Sequence, residues 1–292
     1  VGNTAGGSGG GLYISDSGTS PSFTGCNISA NHALNTGHGG GGAYIQNGAT
    51  PSFTATGIVG NTADGVGGGL LITDSGTSPS FTGCSISANH ALNTGHGGGG
   101  AWIQYGATPS FTATGIVGNT ADGVGGGLFI TDSGTSPSFT GCSISANHAL
   151  STYYSGGGAW IQNGATPSFT ATGFVGNTAA GGGGGLFITD SGTSPSFTGC
   201  NISANHAPNI AYGGGGAWIW SGATPSFTAT GIVGNTAGGV GGGLLIKGRG
   251  TSPRFTGCNI SANHAPNTAY ADGGGGGAWI MNGATPSFTA TC

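Results

Sequence analysis

The sequence predicts an all-β fold, a right-handed single-stranded parallel β-helix (solenoid) of about ten coils. Three observations lead there: a long internal repeat, a half-repeat inside it, and short β-branched or aromatic runs punctuated by glycine and proline. The string Val-Gly-Asn-Thr-Ala returns at Val1, Val59, Val117, Val175 and Val233, which gives five copies of a 58-residue unit. They divide one domain, residues 1–292, into repeats 1–58, 59–116, 117–174, 175–232 and 233–292. Within each unit, Phe23-Thr-Gly-Cys-Asn-Ile-Ser-Ala-Asn-His-Ala33 aligns on Phe53-Thr-Ala-Thr-Gly-Ile-Val-Gly-Asn-Thr-Ala63, keeping Phe, Ile, Asn and Ala in register. One coil is therefore half a unit, 28–30 residues, and periods of this length belong to stacked solenoids. A helical solenoid is excluded, because the glycine runs and the Ser-Pro and Thr-Pro steps would break every helix.

Three strands are expected in each coil. The first is Gly-Leu12-Tyr-Ile14 or Gly-Ala43-Tyr-Ile45, whose alternation sends Leu or Ala and Ile to one face, the core. The second opens at Pro21 or Pro51, where a strand tolerates proline, and points Phe23 or Phe53 inward. The third carries Ile28 or Ile58. An asparagine follows it at a bend, where its amide satisfies turn backbone groups. Ten residues share that place: Asn3, Asn31, Asn61, Asn89, Asn119, Asn147, Asn177, Asn205, Asn235 and Asn263. Stacked coil on coil, they are expected to form a hydrogen-bonded ladder, since buried amides are costly unless paired. No coil buries its apolar face alone, so the coils stack through backbone hydrogen bonds into a rod of roughly 48 Å at ~4.8 Å per coil. The crossover rule for parallel strands favours right-handed coiling.

Composition narrows function. Charged residues are 3% of the chain, three basic (Lys247, Arg249, Arg254) against seven Asp, where soluble domains carry roughly 25%. Three cations in one short stretch cannot neutralise a phosphate track, so nucleic acid is not an expected partner. Neither membrane insertion nor a cofactor is expected.

No catalytic residue is assigned. A β-helical polysaccharide lyase or hydrolase needs an asymmetric cluster of carboxylates or a basic residue beside a metal, and each Asp here recurs as a copied motif. No metal ligand is assigned either. The column His32, His90, His148, His206 and His264 falls on alternate coils with no carboxylate or thiolate read beside each imidazole. Asp16, Asp74, Asp132 and Asp190 form another column, a weak signal for calcium, which wants about six to eight oxygens, and the spacing of calcium-binding β-rolls is absent.

The outward positions are where function is sought. The residue after Leu12 or Ala43 points out of the coil, and its column is apolar: Tyr13, Tyr44, Leu71, Trp102, Phe129, Trp160, Phe187, Trp218, Leu245 and Trp279. Loops of the same coils can cover it. Left open, such a stripe marks lateral packing between rods or contact with bound glycans. The neighbouring stretch varies between copies, as Leu34-Asn-Thr-Gly-His38, Leu150-Ser-Thr-Tyr-Tyr154, Pro208-Asn-Ile-Ala-Tyr212 and Pro266-Asn-Thr-Ala-Tyr270, which marks a loop.

Cys26, Cys84, Cys142, Cys200 and Cys258 alternate with Thr56 and its equivalents. Two coils, roughly 9.6 Å, separate them, too far for a disulfide, so they read as buried small hydrophobes. Cys292 sits one position past that column and is the candidate intermolecular thiol. Asn27-Ile-Ser29, Asn201-Ile-Ser203 and Asn259-Ile-Ser261 match the N-glycosylation pattern, with Asn27, Asn201 and Asn259 pointing outward as candidate sites. Ser22 and Thr24, with Ser52, Thr54 and their copies, make a regular outward hydroxyl array that an ice-binding or carbohydrate-binding surface would also show.

Gly-Gly-Ala-Tyr44 and Gly-Gly-Ala-Trp102 resemble the G-G-A-[ILV] element of polymorphic outer-membrane-protein repeats, found in autotransporter adhesin passengers. Phe174-Val-Gly-Asn177 is similar to their F-x-x-N element, and Ile28-Ser-Ala-Asn31 and Ile58-Val-Gly-Asn61 put Ile in the Phe place. The resemblance implies a secreted, adhesin-like β-helical rod. Here aromatics follow G-G-A and the copies are nearly identical.

The expectation is an extracellular or cell-surface structural protein, not an enzyme, whose subunits stack head to tail. Cys292 has the register of Gly57 and Val1 that of Val59, so one chain's end meets another's start with a single position missing. A heterologous contact of that kind does not close and grows into a filament. The alternatives are a segment of a longer adhesin-like rod and a carbohydrate-binding or ice-binding β-helix.

Overall fold

The computed structural model describes residues 1–211, 213–266 and 274–291. Every strand among them is short and parallel to its partners, and no helix is present among them. Four strands make a full turn rather than the three expected: Thr4–Ala5, Leu12–Ile14, Ser22–Thr24 and Asn27–Ser29 in the first coil, then His32–Ala33, Ala43–Ile45, Ser52–Thr54 and Gly57–Val59 in the second. The extra strand follows the asparagine. At two residues it is too short to show a periodic pattern. Among the described residues, the sheets built on Leu12–Ile14 and on Ser22–Thr24 hold ten strands each, and the other two hold nine. The rod is thus nine full turns and most of a tenth, and the half-unit is the coil.

Register follows the alignment residue by residue. Phe23 pairs with Phe53, Ile28 with Ile58 and His32 with Thr62. Corners that turn the chain between strands rest on single residues in the left-handed region: Gly25 at φ 61° in one coil, and Ala55 at φ 47° in the same place of the next. Glycine occupies that region freely and alanine at a modest cost, which in-register stacking on both sides holds in place.

The core is a set of axial stacks. Ten phenylalanine rings run up the rod, with successive centroids 4.7–4.9 Å apart and ring planes within 3–11° of parallel. Such small angles mean little rotation from coil to coil, so the sheet face outside the rings is nearly flat. Ile28 and its equivalents, with Leu12, Ala43 and the isoleucines of the same strands, fill the remainder.

The asparagine ladder stands beside these stacks, fully buried in its interior. The backbone N–H and the side-chain Nδ2 of Asn61 both donate to Oδ1 of Asn89, and Nδ2 of Asn61 donates as well to the Ile28 carbonyl of the preceding coil. Every polar atom of the amide is therefore used. Gly-Gly-Ala precedes the first strand for a matching reason: a Cβ on Gly42 would fall 2.7 Å from Ile58 Cγ2 and 3.0 Å from Asn61 Nδ2.

Candidate functional site

The aromatic column on Leu12–Ile14 and its partner strands points away from the central core, yet it is not an open stripe. Tyr44, Trp102, Phe129, Trp160, Phe187 and Trp218 are buried together with Leu71 and Leu245, and Val66, Val124 and Val240 close over them. Trp279 is partly buried against the same cluster, and Tyr13, in the first coil, is 56% exposed. Rings of the variable loop complete the cover: His38 against Tyr44, His96 against Trp102, Tyr154 against Trp218. The expectation of an open surface for lateral packing or glycan contact is corrected accordingly. The column is a second core, because the loop of each coil folds back across the sheet and removes that area from water. The valines that close it recur in register with the 58-residue unit, outside any strand, a signal that strand patterning does not weigh.

Alongside this second core runs a polar ribbon. Gln104 and Gln162 lie two residues beyond Trp102 and Trp160, and each accepts its indole N–H, at 2.7 and 2.8 Å. Next to them the turn residues all take positive φ: Asp74, Asp132 and Asp190 in one set of coils, and Asn47, Tyr105, Asn163, Ser221 and Asn282 in the other. The asparagines tie down the coil beneath, with Asn47 Nδ2 donating to Ser15 Oγ at 3.1 Å and Asn163 Nδ2 to Thr131 Oγ1 at 3.2 Å. Tyr105 breaks the series. Between its coil and the next two lies a groove of about 300 Å³, lined by His96, Trp102, Gln104, Tyr105, Phe129, Thr131, Asp132, Gln162 and Asn163.

Two histidines of the column meet carboxylates, contrary to the expectation that none stands beside them. His32 Nε2 lies 2.6 Å from Asp64 Oδ1, and His90 Nε2 lies 2.7 Å from Asp122 Oδ1. Pairing His32 with Thr62 puts Asp64 two residues on, on the same face of the neighbouring strand. Each pair is partly exposed, and exposed pairs are typically worth under ~1 kcal/mol. The equivalents of Asp64 in the next repeats are Ala180 and Gly238, so His148 and His206 have no carboxylate at that place.

The five described cysteines are thiols. Cys84, Cys142, Cys200 and Cys258 are buried, with Sγ of Cys84 donating to the Phe53 carbonyl at 3.4 Å; Cys26, in the first coil, is exposed. Burial pushes the Cys84, Cys142 and Cys200 thiols above the ordinary range. Cys292 lies outside the described residues, as do Tyr212 and Tyr270 of the variable loop. Asn27, Asn201 and Asn259 are exposed at the first position of their strands. Thr24 and its equivalents are exposed along the Phe sheet, and Arg254 stands in the serine column beside Ser226. Among the described residues, no helix is long and apolar enough to cross a membrane.

A family model described as "Right handed beta helix region" matches the chain in three overlapping stretches, residues 1–170, 54–237 and 126–291. The overlap is what a repeat produces, since the model fits in several frames. No curated protein and no solved structure matches the chain.

Proposed function

The chain belongs to the right-handed β-helix family, and from that premise we propose that the rod itself is the working part, a structural, non-enzymatic element outside the cell or at its surface. A fold alone assigns no activity, so the reading rests on one observation. Translation by a coil carries the central stacks onto the next: Phe111 on Phe139 on Phe169, Asn119 on Asn147 on Asn177. A coil face offers the same phenyl ring, asparagine amide and strand hydrogen bonds wherever the central stacks are cut. Such a surface is complementary to its own translated copy, which supports axial stacking of subunits into a filament through a heterologous contact.

A surface location is supported by the resemblance of Gly-Gly-Ala-Tyr44 and Phe174-Val-Gly-Asn177 to outer-membrane-protein repeats, and by the exposure of Asn27, Asn201 and Asn259. Sugars on those asparagines would solvate a rod that carries few charges. Electron microscopy with mass measurement at high protein concentration tests the proposal. Unbranched filaments support it; a dispersed 27.6 kDa monomer contradicts it.

A further inference from the structure

We propose that the groove beside Tyr105 binds a neutral oligosaccharide, with the Tyr105 ring as its stacking platform. One turn of this strongly repetitive chain departs from its copies. At this turn, equivalent coils carry Asn47, Asn163, Ser221 and Asn282, and only here a tyrosine. Its φ is 52°, in the left-handed region that suits asparagine and disfavours bulky side chains. Tyr105 also gives up the contact its equivalents make, the amide donated to Ser15 by Asn47 and to Thr131 by Asn163. Its ring is 58% exposed while the column beside it is buried. Local strain of this kind, with a large apolar face left in water, is a recurrent mark of ligand contacts.

The groove's other groups specify the ligand class. Gln104 spends Oε1 on Trp102, and among the described residues its Nε2 has no protein acceptor. Asp132 accepts from Thr131 Oγ1 and from the Tyr105 backbone N–H, and keeps lone pairs for a further donor. Gln162 and Asn163 also line the groove, both donating to Thr131 Oγ1, and Asn163 keeps its Oδ1 as an acceptor. Amides that donate and a carboxylate that accepts, set against an aromatic face, match the hydroxyls and the C–H face of a sugar ring. The volume, about 300 Å³, lies at the small end of ligand sites and suits one or two rings. All three cations of the chain, Lys247, Arg249 and Arg254, are absent from the lining, and Asp132 repels anions, so uronates and phosphates are disfavoured. Binding here does not depend on whether the rod polymerises.

The test uses the full chain, titrated by calorimetry and saturation-transfer NMR with tetrasaccharides of glucose, mannose, galactose and xylose, and with the acidic tetramer of galacturonate. At least one neutral member is expected to bind at millimolar concentration or below. Tyr105→Asn restores the residue of the equivalent turns and so keeps the fold; it is expected to weaken that binding roughly tenfold. Tyr105→Ser, copying Ser221, serves as a second variant, and Tyr153→Ala in the exposed loop is expected to bind as the parent does. The proposal is overturned if no neutral member binds, if galacturonate binds best, or if the Tyr105 variants bind undiminished.

Discussion

Asn89 gives both its backbone N–H and its side-chain amide to one atom, Oδ1 of Asn119, at 3.0 and 2.9 Å. Asn119 in turn donates to Asn147 and to the Ile86 carbonyl, so a single amide ties its own coil to the coils on both sides. Replacing it orphans the Asn89 backbone N–H and takes a donor from the Ile86 carbonyl, both buried in the preceding coil. Asn119→Ala is expected to destabilise the chain by about 3–5 kcal/mol, because each unsatisfied buried group costs roughly 1–3 kcal/mol. Chemical denaturation reads this directly. A loss under about 1 kcal/mol would mean that water replaces the ladder at little cost.

The phenylalanine stack makes a parallel prediction about packing. Phe139 lies between Phe111 and Phe169 with centroids 4.7 and 4.8 Å away and is fully buried. Phe139→Ala opens a cavity in the central core and is expected to cost about 3–5 kcal/mol. Tyr153→Ala, on an exposed loop, stays within about 0.5 kcal/mol of the parent. Thermal melts of the two variants that ranked in reverse order would refute the inside and outside assignment.

Thiol labelling separates coil ends from coil interior. Cys26 is exposed, whereas Cys84, Cys142 and Cys200 are buried and their pKa values are raised, chiefly by desolvation. Since the thiolate is the reactive form, these three thiols are expected to stay unmodified in native protein and to react on unfolding. Peptide mass mapping after a short exposure to a thiol reagent at neutral pH distinguishes them. Early modification of Cys142 would show that the coils open locally.

Tyr44 supplies a pH dependence. Burial in the second core, helped by Asp74 and Tyr13, pushes its phenol up to about 12 from the ordinary 10. A raised folded-state value favours the neutral form in the folded chain, so this contribution is complete below pH 10 and is lost as pH rises towards 12. The unfolded chain ionises first and is favoured. Tyr44→Phe is expected to remove the latest-titrating component of the phenolate absorbance and to flatten the alkaline loss of stability. An unchanged titration would place Tyr44 in water.

Much of this was legible in the residues. Phe23 against Phe53 and Asn31 against Asn61 fix the coil length and the register, because inward stacks tolerate little substitution. The strand His32–Ala33 was not legible: two residues carry no alternation, and its partners are defined only once Asn31 has turned the chain. Whether loops cover Trp102 and Phe129 is not decided by strand patterning, because that cover, Val124 and His96, comes from segments outside the strands. The His32–Asp64 pair is visible only after the coils are registered, since it joins neighbouring strands rather than neighbours in sequence. Tyr105 was visible all along as the one aromatic in a column of Asn and Ser, but its groove needs three stacked coils to exist.

The central claim, that this chain works as a rod built by stacking one coil face on another, is tested most directly by the axial repeat of its assemblies under the electron microscope. Unbranched filaments are expected, with a coil spacing of ~4.8 Å in the power spectrum and a subunit repeat of roughly 48 Å, about ten coils. Particles that remain single 27.6 kDa subunits at high concentration, or aggregates with no axial order, would contradict it.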